Sequence, residues 1–228
     1  MEVTILAGGM GTRLRNIVHD SPKPMAPING KPFLFYVLTW LKRFSVKKII
    51  MSTGYKSQTV SDYFGNMFLG IEIDYAVEET ALGTGGAITF AMQKTTDENV
   101  VVLNGDTFFP IDLDKFFRFH TNDCKNLTIA LKPMKDFSRY GSVECGGSSV
   151  IKFNEKSYCA DGLINGGIYI IKKSYLRSLN LPDIFSFEKE LLEKQASAAK
   201  LSYMTFDDIF IDIGTPEDYF KATEILKP

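Results

Sequence analysis

The stretch EVTILAGGMGTRL, residues 2–14, decides how the chain is read. Its first five residues, Glu2 to Leu6, make a nearly continuous apolar run, the pattern of a strand covered on both faces of a sheet. The run ends in a turn that gathers Gly8, Gly9, Gly11, Thr12 and Arg13. Working outward, Phe33, Leu34, Val37, Leu38, Leu41 and Phe44 recur at three- and four-residue spacing, so residues 31–45 predict an amphipathic helix. KKIIMST (47–53) predicts the next strand. Strand, helix, strand implies parallel pairing. In an open sheet of that kind the ligand crevice lies beyond the carboxyl ends of the strands, which is where the glycine-rich turn falls.

Further strands are expected at 71–77 and 99–105. After Asp106 the texture changes. NLTIALKP (126–133), GSVEC (141–145), SSVIKFNE (148–155) and LINGGIYIIK (163–172) arrive with turn residues between them, as a more antiparallel region would. The fold class that follows is α/β, a three-layer α/β/α Rossmann-like arrangement on a mixed, mainly parallel sheet. No Pro/Ser linker, repeat or low-complexity segment interrupts residues 1–228, so one domain is expected. Phe33, Val37, Trp40, Leu41 and Phe44 read as helix packing, without a ligand.

Composition narrows the function classes. A net charge of -1 and a pI near 6.2 lack the basic excess that duplex nucleic acid demands, so no nucleic-acid partner is expected and any anion site is local. Cys124, Cys145 and Cys159 form no CxxC pair, which argues against a disulfide framework and a zinc site and fits a reducing compartment. No segment reads as an export signal or reaches the roughly 20 apolar residues of a membrane span. The expectation is a soluble cytoplasmic protein with no membrane partner. His19 and His120 fall in no motif and read as surface or structural residues.

The turn itself suits a phosphate. Glycines let backbone N–H groups approach an anion and tolerate positive φ, and the N-terminus of a following helix adds donors and a favourable dipole. Arg13 adds a charge able to pair bidentately. The same glycines would also serve a bare strand-to-helix turn. Two other phosphate loops are excluded directly: the pattern GxxxxGK[ST] is missing, and the dinucleotide fingerprint needs glycine where Leu14 stands.

LAGGMGTRL (6–14) followed by SPKPMAPINGKP (21–32) resembles the signature of the sugar-phosphate nucleotidyltransferases, which join a nucleoside triphosphate to a sugar 1-phosphate and release pyrophosphate. The resemblance continues in order through EETALGTGGA (78–87), LNGD (103–106), YGSV (140–143), FNEK (153–156), INGGIYI (164–170) and FIDIGTPEDY (210–219). It implies a nucleotide-binding part over about residues 1–110 and a sugar-phosphate-binding part over about 111–228. In that likeness Leu6, Ala7, Gly8, Gly9, Gly11, Thr12 and Arg13 wrap the triphosphate with Lys23 and Asp106. Glu78, Gly83 and Thr84 lie near base and ribose, and the glycines of LGTGGA leave space for a purine. Tyr140, Gly141, Glu155, Lys156, Asn165 and Gly166 meet the sugar phosphate. Asp106 and Asp212 share a Mg²⁺ that bridges the phosphates. VEETALGTGGA and FNEKSYCADGLINGGIYIIK are most similar to the guanylyltransferases of D-glycero-D-manno-heptose 1-phosphate in bacterial surface-polysaccharide synthesis, which implies GTP and that sugar 1-phosphate as partners. Mannose 1-phosphate guanylyltransferases and hexose or muramate uridylyltransferases come next. The resemblance allows a homodimer.

The residue types fit this chemistry. A sugar 1-phosphate is mostly dianionic at neutral pH, with a second pKa of about 6, so the nucleophile needs no general base. The obstacle is to bring one anion against another, and alignment plus charge neutralisation must overcome it. Arg13, Lys23 and Lys156 supply the charge. Lys23 stands between Pro22 and Pro24, which predicts a stiff extended segment. Asp106 follows an apolar run beside Gly105, a natural place for a Mg²⁺ ligand, although an aspartate there also serves turn chemistry. For Asn165 and Gly166 the alternative is a glycine bulge. Two other classes stay in view: a nucleotide-binding module without turnover, and a metal-dependent glycosyltransferase, for which a DxD-like pair would be expected in place of NGD.

Overall fold

Each apolar run becomes a strand. In the computed structural model, which describes residues 1–9, 21–122 and 125–227, β1 (Glu2–Leu6) is followed by one 3-10 turn (Lys23–Met25). The two-residue ladder β2 (Pro27–Ile28) and β3 (Lys31–Pro32) leads into α1 (Phe33–Leu41). Then come β4 (Lys48–Thr53), α2 (Ser57–Phe64), β5 (Met67–Phe68), β6 (Ile71–Val77), α3 (Gly83–Met92) and β7 (Asn99–Asn104). After β8 (Thr107–Phe108) and α4 (Leu113–Asn122) the strands lengthen: β9 (Leu127–Phe137), β10 (Gly141–Gly146), β11 (Ser149–Lys156) and β12 (Cys159–Lys172). The chain closes with α5 (Lys173–Ser178), a π-helical segment (Phe187–Leu192), α6 (Glu193–Ser197), β13 (Leu201–Thr205), β14 (Ile211–Asp212) and α7 (Pro216–Ile225).

Ten of these strands make one sheet in the order β10-β11-β13-β9-β12-β7-β1-β4-β6-β5. The sheet is continuous across residue 110, because β12 pairs with β7. Parallel pairing runs through β7, β1, β4 and β6, and again between β9 and β13. The remaining ladders are antiparallel, so the sheet is mixed rather than mainly parallel. The cause is local. Helical crossovers in the first half return the chain in the same direction, whereas β10 turns back into β11 and β12 runs against both β7 and β9.

Alternation within the central strands builds the layers. Val101 and Leu103 of β7 join Val3, Ile5, Ile49 and Met51 beneath α1, α2, α4 and α7. Val100 and Val102 point the other way, against Ile88 and Met92 of α3, Leu176 of α5 and the apolar side of the π-helical segment. With period two, both faces of such a strand are apolar and both are covered, hence the continuous runs in the sequence. The helix stripe packs as expected: Phe33, Leu34, Val37, Leu38, Trp40 and Leu41 are buried, and the Trp40 indole N–H donates to the carbonyl of Ile111 at 3.3 Å. His120 is a core residue, with ring nitrogens 2.7 Å from the Thr128 hydroxyl and 3.2 Å from the Asn99 amide oxygen. Among the described residues no helix is long and apolar enough to cross a membrane.

Candidate active site

The carboxyl ends of the parallel strands open into a cleft of about 420 Å³. Leu6, Gly8 and Gly9 line it after β1, Lys23 and Pro24 come from the 3-10 turn, and Asn104 and Asp106 follow β7. Glu78, Ala81, Gly83, Thr84 and Ala87 line it further, and Glu188 of the π-helical segment reaches in beside Thr84. Ala7 is buried behind this edge, its amide donating to the Ser52 carbonyl at 2.7 Å. Gly11, Thr12 and Arg13 lie outside the described residues, as do His19 and Cys124.

Two carboxylates far apart in sequence converge here. The β8–β14 ladder sets Asp212 opposite Thr107, and the amide of Ile213 donates to the Asp106 carbonyl at 3.1 Å. The Lys23 ammonium lies 2.5 Å from Asp106 Oδ2 and 3.4 Å from Asp212 Oδ1, so both carboxylates face one point. Burial lifts the Asp212 carboxyl above its ordinary range and the charge of Asp106 adds to this, against the pull of Lys23 and Arg139. A pair of anions held together at that cost is a site that attracts cations. Gly214 leaves the space beside Asp212 open, since a Cβ there would lie 3.1 Å from its Oδ1. Magnesium typically takes one or two protein carboxylates and completes its shell from phosphate and water, so this pair fits it. Among the described residues no group of three His, Cys, Asp or Glu could hold a metal.

The local backbone corrects one expectation. Lys23 is not in an extended segment but opens a 3-10 turn, in which Met25 N–H donates to Pro22 O at 2.8 Å and Ala26 N–H to Lys23 O at 3.1 Å. Pro22 and Pro24 lack N–H groups, so these two amides are the ones in need of acceptors, and the turn satisfies both. The Lys23 side chain is largely buried, only 14% exposed, which fixes the direction of its charge.

On the β1 and β4 side, Glu78 is held in place. Its Oε1 accepts from the Ser52 hydroxyl at 3.0 Å and its Oε2 from the Leu82 amide at 3.2 Å. A Cβ on Gly8 would lie 3.1 Å from the same Oε1, so glycine permits this approach. The glycines of LGTGGA also pack against a neighbouring segment. The Cβ direction of Gly83 points at the carbonyl of Phe185, 2.5 Å away, that of Gly85 at the Phe185 ring and that of Gly86 at the carbonyl of Asp183. Gly85 N–H donates to Phe185 O at 3.0 Å and Phe185 N–H to Leu82 O at 3.1 Å. Bare backbone at the start of α3 thus docks the segment that carries Glu188. Thr84 completes the joint, donating to Glu188 Oε2 at 2.7 Å and accepting from Phe187 N–H at 2.9 Å.

The expected acceptor residues divide. Tyr140 stands near Asp106 and Asp212: burial and then the charge of Asp212 raise its phenol, its ring meets Phe210 edge-on at 5.7 Å, and the Arg139 guanidinium lies 5.5 Å from its centroid. Arg139 pairs with Asp218, which also accepts from the Thr215 hydroxyl at 2.8 Å at the start of α7. Gly141 is opposite Lys156 in the β10–β11 ladder, and its missing Cβ admits the Asn154 carbonyl. Glu155 and Lys156 are exposed at the end of β11 and do not line the cleft. Asn165 and Gly166 belong to a bulge, where the β12–β9 register shifts between Asn165 and Tyr169. There the Asn165 amide donates to the Tyr169 hydroxyl at 2.8 Å and its oxygen accepts from Gly167 N–H at 2.9 Å, while a Cβ on Gly166 would strike Phe109.

Sequence reading missed Asn104, Arg139 and Glu188. Asn104 and Arg139 adjoin residues already singled out, in LNGD and RYGSV, and that adjacency was the available signal. Glu188 sits in SFEKELLEK among helix-forming charges, with nothing to distinguish it.

The chain is similar to known proteins over its whole length. The family model described as Nucleotidyl transferase matches residues 2–227. A D-glycero-alpha-D-manno-heptose 1-phosphate guanylyltransferase of Aneurinibacillus thermoaerophilus is 50% identical over 227 residues, covering 100% of this chain and 99% of that protein. A protein of the same name from Campylobacter jejuni is 47% identical over 221 residues, 96% and 97% of the two chains. The crystal structure of HddC from Yersinia pseudotuberculosis superposes with a TM-score of 0.88 at 37% identity over 99% of both chains, and its complex with GMP-PN with a TM-score of 0.87. Glycine-rich strand end, paired carboxylates and full-length match meet in one conclusion: this chain is an enzyme of the nucleotidyl transferase family.

Proposed function

We propose that this chain transfers the guanylyl group of GTP to D-glycero-α-D-manno-heptose 1-phosphate, releasing pyrophosphate and forming a GDP-heptose for a bacterial surface polysaccharide. The observation that carries the reading is the convergence of Lys23, Asp106 and Asp212 in the cleft after β1 and β7. The names of the relatives at 50% and 47% identity support the choice of base and sugar.

In this reading Asp106 and Asp212 hold Mg²⁺, which when bound supplies Lewis-acid stabilisation of phosphate oxygens. Gly8 and Gly9, with Gly11, Thr12 and Arg13, present backbone N–H groups and one guanidinium to the triphosphate. Lys23 moves its charge from the two carboxylates toward the α-phosphate as negative charge builds there. Glu78, Gly83 and Thr84 border the nucleoside. Tyr140, Gly141, Glu155, Lys156, Asn165 and Gly166 form the acceptor side, with Lys156 against the sugar phosphate. The attacking phosphate oxygen is already ionised, so no residue takes a proton.

The test is a matched series of GTP, UTP, CTP and dTTP with heptose, mannose and glucose 1-phosphates, scored by pyrophosphate release. Highest kcat/KM for GTP with the heptose is expected. A preference for UTP or dTTP with a gluco sugar would overturn the substrate choice while leaving nucleotidyl transfer intact.

A further inference from the structure

The cleft crosses the ends of neighbouring strands, and its two carboxylates outside the metal pair stand at opposite ends. Glu78 follows β6 and is tied to β4 through Ser52. Glu188 lies at the far side: the ring of Phe187, the preceding residue, packs edge-on against Tyr169 of β12 at 4.9 Å, and the charges of Glu188 and Asp106 both bear on the Tyr169 phenol. In the sheet order β12-β7-β1-β4-β6, Asp106 at the end of β7 falls between the two. With strands about 4.8 Å apart, Glu78 and Glu188 stand toward opposite ends of the cleft.

Glu188 is also built as a receptor. Its Oε2 is anchored twice, by the Thr84 hydroxyl at 2.7 Å and the Ser186 hydroxyl at 3.2 Å. Among the described residues no side chain or amide donates to its Oε1. A half-buried carboxylate with one oxygen fixed and the other facing a cleft is an acceptor awaiting a donor. It is carried on a π-helical turn, a local irregularity frequent at functional sites. The ligands on offer differ in what they bring. The triphosphate is all acceptor and would be repelled; donors come from the sugar hydroxyls and from the ribose and guanine, and the latter two belong with Glu78 at the other end of the cleft.

We infer that Glu188 is a specificity-determining residue for the acceptor: its Oε1 accepts a hydrogen bond from a hydroxyl of the sugar 1-phosphate, on the opposite side of the metal carboxylates from the nucleoside. The inference rests on the reading of the chain as a sugar 1-phosphate guanylyltransferase. Thr84 is in this account a positioning residue for Glu188 as well as a wall of the nucleoside site.

Steady-state kinetics of Glu188→Ala and Glu188→Gln, with calorimetric GTP binding in the absence of sugar, test it. Loss of a hydrogen bond to a charged group predicts a rise in KM for the sugar 1-phosphate of about 10- to 100-fold in Glu188→Ala. A rise of similar size is expected in Glu188→Gln, because the Thr84 and Ser186 hydroxyls hold its one oxygen at the Oε2 place and turn the amide N–H toward the sugar. KM and Kd for GTP should stay within about threefold in both, a split that loosening of the segment would not produce. Weakened GTP binding with unchanged sugar KM would overturn the inference, as would unchanged sugar KM alone. If the alanine variant fails to fold, the isosteric glutamine variant decides. The wild-type enzyme is first assayed on several sugar 1-phosphates, so an error in the parent substrate reading shows there and not in the comparison of variants.

Discussion

Lys23 reaches Asp106 across 83 residues of sequence and Asp212 across 189, and the chemistry of the site depends on that meeting. Neither distance was legible in the sequence. LNGD and FIDIG each show a carboxylate at a strand end, but their convergence comes from the two-residue β8–β14 ladder, too short to announce itself by any periodicity. The cost of the meeting is a prediction. Asp212 has a folded pKa above its unfolded one, so the folded state binds more protons and stability falls as pH rises through the ordinary carboxylate range. Asp212→Asn should therefore raise the Tm of the metal-free protein at pH 7, and the difference should vanish below the unfolded carboxylate pKa of about 3.9. The same variant should lose most Mg²⁺-dependent turnover. Parallel melting curves and pyrophosphate assays check both halves; a lowered Tm at pH 7 would contradict the electrostatic account. Lys23→Ala should lower kcat by about 10²- to 10³-fold, comparable to removal of a preorganised electrostatic donor, and a change confined to KM would make Lys23 a uniform binder.

At the scale of elements, the strands were the most legible part. EVTIL and IEIDYAV match β1 and β6 residue for residue, the first as a run buried on both faces and the second through apolar residues alternating with Glu72 and Asp74. Glycine was the least legible, since one missing Cβ serves several ends. LGTGGA suggests room for a base, and the structure spends its bareness on docking Asp183 to Phe187 against α3. INGGIYI holds a bulge that engages the Asn165 side chain internally. Gly86→Ala tests the docking directly. Its Cβ would meet the carbonyl of Asp183, backbone that cannot rotate away, so an overpacking cost of about 1 to 3 kcal/mol is expected, or roughly 2 to 10 °C in Tm. Because the displaced segment carries Glu188, KM for the sugar 1-phosphate should rise more than KM for GTP. Unchanged stability in thermal melts would show that the segment moves freely and is not pinned by α3.

For the whole molecule, one sheet joins a parallel half to a mixed, mostly antiparallel half, with β7 at the seam and Asp106 at its end. The parallel half was legible through strand-helix-strand alternation. The position of β12 beside β7 was not, because antiparallel partners separated by 65 or more residues share no local signal. In the proposed function that seam divides a nucleotide on one side of Asp106 and Asp212 from a sugar phosphate on the other, the arrangement that transfer between them requires. The direct measurement uses GTP labelled at the α-phosphate, mixed with Mg²⁺, heptose 1-phosphate and excess enzyme in a single turnover. The account predicts label in a GDP-sugar and unlabelled pyrophosphate, with both signals lost in Asp106→Asn. Label recovered as free GMP or GDP, or a GDP-sugar formed equally well by Asp106→Asn, would contradict it.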